Sequence, residues 1–169
     1  MRTFVGRFSE IVDRLVRIIT VALAAGFTLL IFTSVLTRYV FNHPIMFSQE
    51  VSKLLFIWSA FLSATIAFRK HLHIRFEFLN SVLGEKGKII TDLILYVTCL
   101  VFFSVVFFYS IQWTRIIWGT YLPVLELSQG WLYVSVIVSS AIFFVHSLEL
   151  LFQTVERYLQ LGKVEGSQE

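Results

Sequence analysis

The chain has 169 residues, of which 57% are hydrophobic and 15% charged, with 18 Phe and two Pro. That leaves too little polar surface to coat a water-soluble globule, so the composition describes an integral membrane protein and excludes a soluble globular domain. The net charge of +3 indicates contact with anionic lipid head groups rather than with nucleic acid, because no basic patch is interleaved with stacking aromatics.

In chain order, Phe4, Val5, Phe8, Ile11, Val12, Leu15 and Val16 recur at helical spacing opposite Arg7, Glu10, Asp13, Arg14 and Arg17. That pattern predicts an amphipathic helix over about 4–16 lying on the interface. A helix that simply extends the first span is an equal alternative. The first apolar run, about 18–37, continues far past the Ala-Leu-Ala at 22–24 that could mimic a cleavage site, so it reads as a retained anchor. The second run, 54–68, is too short alone: fifteen residues cover only about 22 Å of a core roughly 30 Å thick. The span must therefore begin near Phe47 and extend over about 47–69, carrying Glu50 and Lys53 with it. A middle loop follows, in which the apolar residues of "HIRFEFLNSVLGEKGK" fit both a short surface helix and an extended piece, with the helix preferred.

The third span covers about 90–114 and the fourth about 128–149, with Leu148, Phe152, Val155 and Leu159 carrying the last helix beyond the bilayer. Four helices are the only architecture these runs allow, since in lipid every backbone polar group must be bonded within its segment or within a closed barrel. The expected fold is all-α: a single four-helix transmembrane domain over 1–161, then a polar tail over 162–169. Basic residues set the orientation. The N-terminal segment, the middle loop and the tail hold 11 Lys and Arg, against Arg38 and Arg115 in the two other turns. Both termini and the middle loop are thus expected on the cytoplasmic side.

Small residues recur every four positions at Ala22 and Gly26, at Ser59, Ser63 and Ala67, and at Ser135 and Ser139. Such rows let helix backbones approach closely, within the bundle or against another protein. Trp113, Trp118, Tyr121, Trp131 and Tyr133 form an interfacial aromatic belt. Cys99 is the one cysteine and allows no intramolecular disulfide.

Chemistry is sparse. A haem anchor needs facing histidines within the bilayer, but His43, His71 and His73 lie in connections and His146 near a span end. The His71 and His73 pair has no defensible metal-ligand set, and no phosphate loop, nucleophile motif or convergent carboxylate pair points to an enzyme or a cofactor. The middle of every span is uncharged, whereas a self-sufficient transporter carries an ionisable or unwound site there. Asp92 suits the positive end of the third helix, a boundary role preferred to proton relay, and the same choice is made for His146 and Glu149 at the cytoplasmic end of the fourth span.

The stretch "RYVFNHPIMFSQE", followed by Trp58 and "FLSATIAFRKHLHIRFEFL", resembles the signature of the small membrane subunit, the DctQ type, of tripartite ATP-independent periplasmic (TRAP) transporters. The resemblance covers residues 38–79 closely, and length and span number agree over the rest. It assigns the family's turn to Arg38, Tyr39, Phe41, Asn42 and Pro44, its acidic position to Glu50, and its Arg-x-x-x-His run to Arg69 and His73. The chain departs from the pattern in reading "FSQE" where Trp-Ser-Glu-Glu is frequent, and in Glu77 where Asp is common. The resemblance implies a machine in which a periplasmic binding protein captures an organic anion, a large membrane subunit moves it with Na⁺, and the small subunit holds the large one's fixed part. Its substrates would be sialic acids, C4-dicarboxylates or other carboxylates, with a lean towards sialic acid, and its seat the bacterial inner membrane. An autonomous proton-coupled exporter using Glu50, and a membrane assembly factor, remain the alternatives.

Glu50 and Lys53 lie three residues apart on one helix face, about 60° from each other, and can pair. Either they shield one another at the lipid interface, or they bond the large subunit, with Arg38 and the Pro44 turn fixing how the helix starts and the Ser59, Ser63, Ala67 row packing below.

Overall fold

The computed structural model describes the backbone of residues 2–71 and 85–165 and the side chains of residues 9–68, 87 and 89–159. The helix expected over 73–88 lies largely outside the described residues, as do His73 and the side chain of Arg69. Among the described residues there are four helices: α1 (Arg2–Tyr39), α2 (Ser48–His71), α3 (Glu85–Ile117) and α4 (Gly130–Glu165). Each contains a stretch long and apolar enough to cross a membrane: Ser9–Tyr39, Ser48–Phe68, Ile89–Ile117 and Gly130–Leu159.

Residues 4–16 are the opening turns of α1, which runs without a break for 38 residues, about 57 Å. The extension of the first span is the arrangement observed, and its physical reason is polar. Ser9 and Asp13 turn inward, 0% and 8% exposed, so this segment is held by the bundle rather than by head groups alone. Asp13 also accepts from Arg17 one turn on, at 2.7 Å, the favourable i,i+4 spacing.

Helix α4 is the hub. It packs against α1, α2 and α3, while α1 also packs along α2. Its inner face explains how: Ser135, Ser139, Ser140 and Ser147 are all at most 2% exposed, and small residues let neighbouring backbones close in where lipid supplies no hydrophobic drive. Most serines and threonines satisfy their hydroxyls on a carbonyl of the preceding turn, as Ser135 does on Leu132 and Thr65 on Leu62. Larger groups fill the gaps lower down. Phe103 and Phe143 stack with ring centres 4.1 Å apart, and Phe68 meets both edge-on at 5.6 and 5.1 Å. That aromatic knot joins α2, α3 and α4.

The α1–α2 turn is closed by backbone geometry. Asn42 adopts a left-handed conformation, φ 51°, and the His43 amide reaches back to the Thr37 carbonyl at 3.0 Å, so orphan carbonyls at the end of α1 are satisfied. Ser48 then opens α2, its hydroxyl donating to the Ile45 carbonyl at 2.7 Å and lying 2.9 Å from the Ser34 hydroxyl of α1. A β-branched residue cannot adopt the Asn42 conformation without strain. Asn42→Val is therefore expected to lower stability by about 1–2 kcal/mol, whereas Asn42→Gly stays near wild type, as read from thermal unfolding of the purified chain.

Candidate functional site

Two polar constructions, one at each end of the bundle, organise the chemistry of the chain. The first surrounds Glu50. Residues 120–129, between α3 and α4, form a tight hairpin: Leu122 N–H donates to the Leu127 carbonyl at 2.8 Å, Gln129 N–H to Thr120 at 2.8 Å, and Glu126 N–H to Leu122 at 3.0 Å. Tyr121 and Ser128 pair as an isolated antiparallel bridge. Pro123 suits the first turn position because it has no N–H to place and its φ is preset. Glu126 closes the turn in the left-handed region, φ 54°.

This wrapping leaves the Val124 and Leu125 N–H groups pointing out together, like the first amides of a helix. The Glu50 carboxylate receives both. Val124 N–H donates to its two oxygens at 3.0 and 3.2 Å, and Leu125 N–H donates to Oε2 at 2.8 Å. An anion facing adjacent outward amides is the arrangement that favours a carboxylate at a helix N-terminus or backbone nest.

Of the two arrangements open to Glu50 and Lys53, the local ion pair does not form in the structure. Arg17 and Asp13 form an ion pair, whereas no ion pair or hydrogen bond links Glu50 to Lys53. The reason is tertiary: two fixed amide donors meet Glu50 from the hairpin, while Lys53, a turn further round, lines a groove between α2 and α1 with Arg38 and Tyr39.

Trp58 is spent inside the chain as well. Its Nε1–H donates to the Trp131 carbonyl at 3.1 Å. That bond shows that Trp58 is level with the start of α4. Glu50 is eight residues, about 12 Å, above Trp58 along α2, so α2 starts higher than α4 and the hairpin stands in the resulting step. Ser128 seals the step from below: its hydroxyl donates to the Trp118 carbonyl at 2.7 Å and accepts the Gly130 N–H at 3.0 Å, capping α4. A methyl group on Gly130 would lie 2.5 Å from Cε3 of Trp118, so only glycine fits beneath that ring.

The remaining candidates divide. In the Ser59, Ser63, Ala67 row, Ser59 is buried, 8% exposed, and packs within the bundle. Ser63 and Ala67 are exposed, together with Ala60 and Ala64, so the outward stripe reads Lys53, Phe56, Ala60, Ser63, Ala64, Ala67. Ser63 needs no outside partner, since its hydroxyl donates to the Ala60 carbonyl at 2.9 Å. Tyr39 and Phe41 are 77% and 70% exposed on the α1–α2 turn, and Arg38, Asn42 and Pro44 are exposed beside them.

The second construction is at the opposite end. Ser9 of α1 donates its hydroxyl hydrogen to Oε2 of Glu149 and lies 2.9 Å from Nδ1 of His146. One hydroxyl has one proton to give, so with Ser9 donating to Glu149 the contact with Nδ1 requires the tautomer in which His146 donates to Ser9. His146 is 1% and Glu149 7% exposed, and Gln153 donates to Oε1 of Glu149 at 3.4 Å. The cluster ties the extension of α1 to α4. No group of three metal-binding side chains occurs among the described residues.

Sequence reasoning missed Val124, Leu125, Ser9 and Ser128. Pro123 followed by two residues free to expose their amides was the readable signal for the hairpin, but nothing in the sequence links it to Glu50, 74 positions away.

The family model described as "Tripartite ATP-independent periplasmic transporters, DctQ component" matches residues 27–157. A protein of Haemophilus influenzae named as a TRAP transporter small permease is 33% identical over 95 residues, 54% of this chain and 59% of that protein's length. The sialic acid TRAP transporter small permease protein SiaQ of Vibrio cholerae is 25% identical over 150 residues, 89% of this chain and 87% of its own. The C4-dicarboxylate TRAP transporter small permease protein DctQ of the same organism is 24% identical over 101 residues, 60% of this chain and 44% of its own.

Proposed function

The chain belongs to the DctQ-component family of tripartite ATP-independent periplasmic transporters, and from that premise we propose that it is the small membrane subunit that scaffolds a Na⁺-coupled uptake system for an organic anion. It is a multi-pass inner-membrane protein, of a transporter family rather than an enzyme class. The observation that carries the scaffold role is the outward face of α2. Ala60, Ser63, Ala64 and Ala67 are exposed along one side, a flat strip on which a helix of a large permease subunit can lie close. The uncharged middle of every span supports the division of labour, with substrate and Na⁺ handled by that large subunit and substrate delivered by a periplasmic binding protein. The small permeases of sialic acid and C4-dicarboxylate systems among the relatives support a carboxylate substrate, and the longer match favours sialic acid.

The reading is tested by reconstitution. Vesicles holding this chain alone are expected to show no Na⁺-driven uptake of sialic acid, vesicles holding it with a large subunit and binding protein to show uptake, and the large subunit alone to be unstable or poorly active. Uptake by this chain alone would favour the exporter reading, already weakened because Glu50 is bound to hairpin amides. Full activity of the large subunit alone would favour an assembly factor.

We further propose that both termini face the cytoplasm and the 38–47 and 115–130 connections face the periplasm, from the 11 to two distribution of basic residues. Single cysteines at Asn42 and Lys86 test it in whole cells. A membrane-impermeant thiol reagent should modify residue 42 and spare residue 86, and the opposite pattern would reverse the topology.

A further inference from the structure

We infer that the groove between α1 and α2 is a binding site for one anionic glycerophospholipid of the adjoining leaflet, with its phosphate held by Arg38 and Lys53. The groove encloses about 550 Å³, within the range of pockets that hold small ligands. It is built with two unlike ends. Arg38, Lys53 and the polar side chains of Gln49 and Ser52 line one, and Phe27, Ile31, Val35 and Phe56 line the other.

No Asp or Glu lines it. The nearest carboxylate along α2, Glu50, is taken by the Val124 and Leu125 amides. Two cations without an acidic neighbour at the head of an apolar channel are the complement of an amphiphile with an anionic head. The guanidinium supplies a planar fork for phosphate oxygens and the ammonium a compact charge.

Length points the same way. Eleven residues separate Arg38 from Phe27 along α1, about 16 Å, half of a hydrocarbon core of roughly 30 Å. The channel therefore has the reach of one leaflet's acyl chain. A protein segment filling it would have to bring its own acid to the top and apolar side chains below. Lys53 and Phe56 continue the exposed α2 stripe above Ala60, so the experiment has to distinguish lipid from the large subunit as the occupant of the groove.

Lipid titration followed by native mass spectrometry tests the site on the full-length chain, expressed with its membrane partner and stripped of lipid in detergent. Phosphatidylglycerol and phosphatidylcholine with the same acyl chains are the probes. Wild type is expected to retain phosphatidylglycerol about tenfold better or more, from two cations near one phosphate. Arg38→Gln with Lys53→Gln should abolish the preference, Lys53→Gln alone should reduce it, and Arg38→Lys with Lys53→Arg should keep most of it. Equal retention of the two lipids by wild type, or an unchanged preference in both glutamine variants, would overturn the site. A benzophenone amino acid at Ile31 gives a second readout: crosslinking to lipid supports the assignment, and crosslinking to a protein partner instead overturns it.

Discussion

Glu50→Ala is expected to open the 123–126 turn while leaving the four helices in place. The carboxylate holds two amides that have no partner within the hairpin, and hydrogen bonds to a charged group contribute about 1.5–3 kcal/mol each. Glu50 is partly exposed, so the lower end applies, about 3 kcal/mol for the two bonds. At 1.4 kcal/mol per decade, hydrogen exchange of the Val124 and Leu125 amides should accelerate about a hundredfold. Exchange in the middle of α2 and α4 should change little. Glu50→Gln keeps an oxygen acceptor but loses the charge, and should fall between wild type and alanine. Because Trp58–Trp131 and the Ser128 cap hold the base of the hairpin independently, the fault should stay local. Unchanged exchange at residues 124 and 125 in the alanine variant would mean the carboxylate is committed elsewhere, as in the alternative in which Glu50 bonds the large subunit.

Ala64→Phe should disrupt association with the large subunit without unfolding this one. Ala64 lies in the exposed strip of α2, where a larger apolar side chain meets only lipid in the isolated chain. Exposed substitutions of that kind alter stability by about 0.5 kcal/mol or less. Against a closely packed helix the same side chain has no room, and overpacking costs about 1–3 kcal/mol. Affinity should drop by about fivefold to a hundredfold, measured as co-purification over a dilution series in nanodiscs. Val97→Phe provides the control, since Val97 is 45% exposed on α3, away from the strip. Wild-type affinity with Ala64→Phe would remove this face from the interface.

These two experiments address different properties of α2, and only one of its faces was readable in advance. The apolar runs determined four spans, because hydrocarbon allows no unbonded backbone and sets a minimum length. Asn42 was placed in the turn by the family resemblance alone, and its left-handed backbone came from the structure. The stretch from Arg38 to Leu79 was enough to indicate the family.

Tertiary structure decided which side of each helix does what. Ser59 and Ser63 share a spacing rule but not an environment, because helix spacing fixes their angular separation and not where the neighbouring helix lies. Glu50 and Lys53 had the spacing of a pair, yet the two amides of a distant hairpin offered Glu50 better-fixed donors. His146 and Glu149 looked like residues of a helix end until Ser9, 137 positions before His146, arrived on α1 to join them. Local sequence encodes length, polarity and turn chemistry through forces acting over a few residues. The partners of Glu50 and of Ser9 depend on the relative height and rotation of whole helices, which arise from packing around α4 and are written in no single segment.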